Sequence, residues 1–170
     1  MQEILQGRVW LFGDDISTDH IIAGKYLGTT DPAVFAEHAM ENVRPDWAKR
    51  VTSGDLIVAG DNFGCGSSRV QAPLALKTLG IAAIVANSFA RIFYRNCINL
   101  ALPVVESRGV AAAVAEGETL TINLVKGELR TASGQVFRAQ PYPPHILGIM
   151  NAGGLVPKLR AELAVKRAAP

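Results

Sequence analysis

A chain of 170 residues, 49% of them hydrophobic and with a mean hydropathy of +0.20, can bury a full core, which excludes a disordered segment. Its formal charge of +2, with 17 Lys and Arg against 15 Asp and Glu, is interspersed apart from a mildly basic C-terminus at Lys158, Arg160, Lys166 and Arg167, so no nucleic-acid footprint follows. No apolar run approaches the roughly 20 residues that span a bilayer, and Met1 to Leu5 lacks the basic and then apolar signature of an export signal. Cys65 and Cys97 have no neighbouring Cys or His at metal-ligand spacing, so neither a disulfide framework nor a self-contained zinc or iron–sulfur site is indicated. The expectation is one domain over residues 1–170, without a membrane span, soluble in a reducing cytoplasm.

In chain order, Arg8 to Phe12 is a β-prone run stopped by the turn residues Gly13-Asp14-Asp15. The loop continues through Ile16-Ser17-Thr18-Asp19-His20-Ile21-Ile22, where a carboxylate, two hydroxyls and an imidazole interrupt an apolar context. Ser17, Thr18 and Asp19 fit either turn formation and helix capping or a functional cluster. Gly24 to Pro32 reads as an exposed loop, after which Thr30 or Asp31 caps a helix with Pro32 in its first turn and Phe35, Ala36, Ala39 and Met40 at helical spacing. His38 belongs to that helix and receives no role.

Asp55 to Ala59 predicts a strand that runs straight into a glycine-rich loop, Gly60 to Gln71, and a helix follows from about Arg69 to Leu79 with Gly80 as its C-terminal cap. Ile81 to Ala86 is a continuous apolar run, as in a strand covered on both faces. Asn87 or Ser88 then caps a helix over Phe89 to Leu100, burying a face of Phe89, Ile92, Phe93 and Cys97, and Leu102 to Val105 is a further strand. This alternation implies right-handed crossovers and a parallel core sheet. Beyond Gly109 the texture changes to short returning strands at Leu120 to Leu124, Leu129 to Thr131 and Gln135 to Arg138, a small antiparallel layer. Pro141 to Pro144 breaks the chain before a short helix at His145 to Met150, a Gly153-Gly154 stop and a last helix at about Val156 to Val165, with Arg167 to Pro170 fraying.

Chemistry concentrates in Gly64-Cys65-Gly66-Ser67-Ser68-Arg69. A dinucleotide fingerprint fails because Arg69 stands where a third small residue is needed, and the sequence lacks both a P-loop lysine and the Gly-x-Ser-x-Gly elbow. Two readings remain. One is a carboxylate-binding loop with a reactive serine, in which N–H groups of the Gly-x-Gly turn stabilise an alkoxide and Arg69 supplies a fork for a carboxylate. The other is an N-capping serine with an arginine on a solvated first helical turn.

Three stretches together, Gly13 to Ile22, Asn62 to Arg69 and Ser88 to Asn96, resemble the small subunit of 3-isopropylmalate dehydratase, itself similar to the swivelling domain of aconitase. The resemblance covers nearly the whole chain. It implies a swivelling β/β/α domain of the aconitase C-terminal type, with a parallel core sheet and a small antiparallel layer. It also implies a partner, a large subunit carrying a [4Fe–4S] cluster, over which this chain closes. The reaction implied is dehydration of 2-isopropylmalate and rehydration to 3-isopropylmalate in leucine biosynthesis, a cluster iron acting as Lewis acid.

Carried onto matching positions, Ser67 would remove and return the carbon-bound proton, assisted by loop N–H groups around Gly66 and Ser68. Arg69 would hold a substrate carboxylate and Asp19 would orient groups or relay a proton, while Arg91 and Arg95 fit ion pairing or substrate contact equally. Two departures bear on the substrate. Val70 replaces the acidic residue that many relatives carry after Ser-Ser-Arg, and Gly28-Thr29, in the loop where Thr29 would meet the substrate, offers neither a bulky apolar wall nor an arginine. Other expectations in play are a homoaconitase or dimethylmalate-type hydratase small subunit and, in a different class, a non-catalytic carboxylate-binding module.

Overall fold

The computed structural model describes residues 3–168. Its seven strands are β1 (Ile4–Leu11), β2 (Leu56–Ala59), β3 (Ala83–Ala86), β4 (Val104–Glu106), β5 (Thr119–Asn123), β6 (Glu128–Thr131) and β7 (Val136–Arg138). The helices are α1 (Thr18–Ile21), α2 (Pro32–Glu37), α3 (Trp47–Arg50), α4 (Gln71–Leu79), α5 (Arg91–Asn99), α6 (Val110–Ala113), α7 (Pro144–Asn151) and α8 (Leu155–Ala168).

The strands form one sheet in the order β4-β3-β2-β1-β5-β6-β7. β1 pairs in parallel with β2 through Val9 and Leu56, β2 with β3 through Ile57 and Ile84, and β3 with β4 through Val85 and Val105. Every residue of β2 and β3 is buried, so both faces of these strands are covered, which explains why both read as unbroken apolar runs. The antiparallel strands expected after Gly109 are present as β5, β6 and β7, and they continue the parallel half through β1. β1 extends back to Ile4, and its first half pairs with β5 from Ile4↔Asn123 to Arg8↔Thr119, so one long strand belongs to both halves of the sheet.

Because β1, β2 and β3 are parallel, the loops that leave them emerge on one edge, the usual place for ligands in such sheets. They interlock there. Asp15 N–H donates to Asp61 O (2.9 Å), Gly64 N–H to Ile16 O (2.7 Å), Phe63 N–H to Ser88 O (3.0 Å) and Ala90 N–H to Phe63 O (2.9 Å). Beneath them Phe63, Phe89 and Phe93 pack with ring centroids 5.5–6.5 Å apart. On the other side, Trp47 lies edge-on to both Trp10 and Phe12 (5.9 and 5.5 Å), closing the core under α3.

Several helix boundaries differ from the pattern-based reading. α4 begins at Gln71, not Arg69, since Ser67 to Arg69 are tied to the α1 loop; Val70 occupies the N-cap position and no side chain caps the helix. α5 begins at Arg91 after Ala90, because the expected caps are engaged elsewhere. Ser88 Oγ accepts from Asn62 N–H (2.8 Å) and donates to Asp61 (3.1 Å), and Asn87 reaches Asp61 and Gly109 N–H. With that start, Phe93 and Cys97 point inward one turn apart while Ile92, expected in the core, is 51% exposed. Asp31 caps α2 as expected, its carboxylate accepting from Ala33 N–H at 2.9 Å, and Gly80 ends α4 in a left-handed conformation. α8 is longer than its periodicity suggested, running from Leu155 and including Arg167, where fraying was expected; Ala169 and Pro170 lie outside the described residues.

Candidate active site

The three loops enclose an open cleft of about 370 Å³ lined by Thr18, the glycine loop from Gly64 to Arg69 and the first turns of α5. That volume falls within the range of small-molecule sites. Its base is set by two glycines with positive φ. Gly64 (φ +79°) lies directly against Phe93, where an added Cβ would overlap Cγ, Cβ and Cδ1 of the ring residue, so the loop and α5 approach to a distance only glycine allows. Gly66 (φ +90°) turns the chain so that Ser67 and Ser68 stand exposed at the rim.

The loop is held from the α1 side. Thr18 N–H donates to Cys65 O (2.8 Å), and Thr18 Oγ1 donates to Ser67 O (3.0 Å) from a side chain that is buried. Ser17 forms a reciprocal capping box with His20: its hydroxyl accepts from His20 N–H, and His20 Nδ1 accepts from Ser17 N–H, both at 3.1 Å. The capping reading of Ser17 is therefore correct, and Thr18 is the residue whose importance the pattern concealed. Further out, Asp14 accepts from Asp61 N–H (2.7 Å) and Asn62 donates to Asp15 (2.8 Å), completing a polar lattice across the loops.

The residues singled out in the sequence divide clearly. Gly66, Ser67, Ser68 and Arg69 line the cleft together. Asp19 joins them through an ion pair with Arg69, whose Nη1 also approaches Ile22 O at 3.5 Å; the carboxylate side chain is 55% exposed and the guanidinium side chain 20%. Thr29 is not brought to the cleft. Its hydroxyl accepts from Asp31 N–H (3.1 Å), at the approach to α2, and the short turn at Gly24–Tyr26 carries it away. Val70 is exposed at the N-cap of α4 and is not among the lining residues.

Pattern reading also left Arg91, Ile92, Arg95 and Asn96 undecided or misplaced, and all four line the cleft. They lie in the Ser88 to Asn96 stretch that carries the resemblance, in which substrate contact is one of the two readings for Arg91 and Arg95. His38, given no role, stacks on Tyr26 (4.0 Å) and contacts Glu41 Oε2 (3.0 Å). Lys25, Tyr26 and His38 hold the Glu41 carboxyl below its ordinary range, which makes that group a structural clasp behind the Tyr26 loop.

Neither cysteine is placed to ligate an iron–sulfur cluster. Cys97 is wholly buried, and Cys65 Sγ lies 3.6 Å from Asp15 O; burial and the nearby Asp15 charge push the Cys65 thiol up, away from thiolate. Among the described residues, no three His, Cys, Asp or Glu side chains gather as a metal set. No helix of the described residues is long and apolar enough to cross a membrane.

Comparison with known proteins shows the family and the fold. The aconitase C-terminal domain family matches residues 34–108. The 3-isopropylmalate dehydratase small subunit 1 of Methanopyrus kandleri is 50% identical over 95% of this chain and 96% of its own length. The methanogen homoaconitase small subunit of Methanothermobacter thermautotrophicus is also 50% identical, over 92% of this chain and 91% of its own. The crystal structure of 3-isopropylmalate dehydratase from Methanocaldococcus jannaschii superposes with a TM-score of 0.90 at 42% identity, covering 96% of this chain and 98% of that one.

Proposed function

The chain belongs to the 3-isopropylmalate dehydratase small-subunit family, with the aconitase C-terminal fold, and from that premise we propose that it supplies half of a hydro-lyase active site to a large subunit. The reaction is the isomerisation of 2-isopropylmalate to 3-isopropylmalate in the cytoplasm, by loss of water and its return one carbon away. The Lewis-acid polarisation of the departing hydroxyl would be supplied by a [4Fe–4S] cluster held by the large subunit. This chain's cysteines do not fit the cluster, so its own part is proton handling and carboxylate binding.

Ser67 is the proton carrier in this reading. A serine alkoxide needs donors to hold its charge, and the Gly66 to Ser68 backbone turns over the cleft where such N–H groups are useful. Arg69 binds a substrate carboxylate. Its present partner is Asp19, an exposed group, and exposed ion pairs contribute only about 0–1 kcal/mol, so a dianion can displace or share that bond at little cost. Asp19, released or shifted, then orients the bound acid or relays a proton. Thr29, which does not line the cleft of this chain, enters only as part of the Tyr26 to Thr30 loop, which by the family resemblance would come to bear on the substrate side chain in the assembled enzyme.

The observation that carries the reading is the convergence of Ser67, Ser68 and Arg69 with the Asp19 pair on one cleft in this fold. A homoaconitase-type substrate is the second reading, favoured by the 50% identity to the methanogen homoaconitase small subunit. The test is to purify the chain with its candidate large subunit anaerobically and compare turnover of 2-isopropylmalate, homocitrate and dimethylmalate. Turnover of 2-isopropylmalate above the others is the expected result. An intact-cluster complex that turns over none of them, while the isolated chain binds a dicarboxylate tightly, would instead make it a binding module.

A further inference from the structure

The proposed substrate carries two carboxylates and an alkyl branch, while the serine loop supplies one guanidinium already engaged with Asp19. The opposite wall of the cleft is the first part of α5, where Arg91, Ile92, Arg95 and Asn96 all face the cavity. Arg91 and Arg95 are four residues apart, hence neighbours on one helix face, where like charges repel. Among the described residues neither forms an ion pair, although Glu106 lines an adjacent cleft of about 420 Å³ that both arginines also border. An anion lying between them relieves the repulsion and gains charge-assisted hydrogen bonds. Beside the arginine pair Ile92 also lines the cleft, 51% exposed on a helix whose neighbouring Phe93 is 2% exposed.

The position of this face is fixed relative to the serine loop. Phe93 sits against Gly64, and Phe63 N–H and O are bonded on either side to Ser88 O and Ala90 N–H, so the start of α5 and the residues leading to Ser67 form one body. A group bound on α5 is thereby held at a set distance from Ser67. That is what a two-point hold on a small dianion requires.

We infer that the α5 face of Arg91, Ile92 and Arg95 recognises the non-reacting half of the substrate, the arginine pair binding the second carboxylate and Ile92 contacting the alkyl branch. This rests on the reading of the chain as a dehydratase small subunit. It adds the α5 face to the Tyr26 to Thr30 loop as a determinant of selectivity; Thr29 and Val70 themselves are not among the residues lining the cleft.

The test uses the complete two-subunit enzyme with its cluster intact. Arg91→Gln and Arg95→Gln should each raise KM for 2-isopropylmalate by about 10-fold or more, as expected for a lost hydrogen bond between charged groups, with kcat changed much less and the double variant worse than either. Arg→Lys at each position should recover part of the loss. Ile92→Ala should lower kcat/KM for 2-isopropylmalate by roughly 10-fold relative to citramalate, whose methyl branch is smaller. Unchanged KM in the arginine variants, or an unchanged substrate ratio in Ile92→Ala, overturns the inference. So does failure of these variants to co-purify with the large subunit, which makes the face a docking surface. Absence of turnover in the unaltered complex is a different failure, that of the dehydratase reading itself.

Discussion

Substituting Gly64 by alanine isolates the contact that joins the serine loop to α5. Gly64 has φ +79° and its missing Cβ would coincide with atoms of Phe93, so two costs arise together. An alanine in the left-handed region costs roughly 1–2 kcal/mol. Overpacking against a buried ring adds about 1–3 kcal/mol, since neither the Phe63 and Phe89 neighbours of Phe93 nor the loop backbone has free space to yield. The total is about 2–5 kcal/mol, which at a urea m value of about 2 kcal/mol per M lowers the unfolding midpoint by roughly 1–2.5 M. Gly117 offers an internal control: φ is +88° and nothing lies within 4 Å of its Cβ position, so Gly117→Ala carries the backbone cost alone. Urea unfolding of both variants gives the packing cost by difference. In the assembled enzyme, Gly64→Ala should also lower kcat/KM by up to ~10²-fold, because a displacement of about 1 Å at a reacting group has that effect, whereas Gly117→Ala should leave it unchanged. Equal destabilisation by the two substitutions would refute the claim that Phe93 excludes a side chain at Gly64.

Three other outcomes are expected. Ser67→Ala should reduce turnover at least ~10²-fold with subunit assembly intact, measured by single-turnover assay and gel filtration, and near-normal turnover removes Ser67 from the chemistry. Asp55 is 5% exposed and receives Arg8, Trp10 Nε1 and Thr52 N–H; burial pushes its carboxyl up, but those bonds and the Arg8 charge outweigh it and hold it below its ordinary value of 3.8. Its stabilising contribution is accordingly full above that value and lost as pH falls through the lower folded value; Asp55→Asn should cost about 2–4 kcal/mol at pH 7 and flatten the acid limb of a stability–pH curve. Tyr142→Phe should cost about 1–3 kcal/mol and speed hydrogen exchange at Val104, because the buried hydroxyl accepts from Val104 N–H (2.7 Å) and donates to Val104 O (2.6 Å) on the outer edge of the sheet. An unchanged exchange rate would mean that the edge strand does not depend on this clasp.

The strands were legible because their physics is local. β2 and β3 are short apolar runs bounded by turn residues, and β5 to β7 alternate before glycine turns, as Leu120, Ile122 and Leu129 facing the core make plain. The helix starts were not, because they depend on where polar side chains find partners. Ser88 and Asn87 are good caps in isolation, but they bond to Asp61 and its neighbours 26 or 27 positions away, and α5 starts uncapped at Arg91. The same shift exposes Ile92, which no periodicity computed from Phe89 could show. Thr18 was hidden for a related reason: its bond to Ser67 O spans 49 positions, and a threonine beside a capping serine gives no sign of it.

These long-range bonds also explain the division of labour within the site. Every group that fixes geometry is inside or bonded: Thr18 is 2% exposed, Phe63 0% and Phe93 2%. The groups proposed to do chemistry, Ser67, Asp19, Arg91 and Arg95, are exposed, where water screens charge and a serine hydroxyl keeps its proton. Neither His20, whose Nδ1 is occupied by Ser17 N–H, nor Asp19, paired with Arg69, is bonded to Ser67 as a base. In the reading proposed above, activation comes with the exclusion of water, when a large subunit closes the open side of the cleft and the same charges act at lower effective dielectric. On this argument the isolated chain should hold its loops in the working arrangement and yet leave 2-isopropylmalate unchanged, because order is built into this subunit while desolvation and the Lewis acid would both come with assembly.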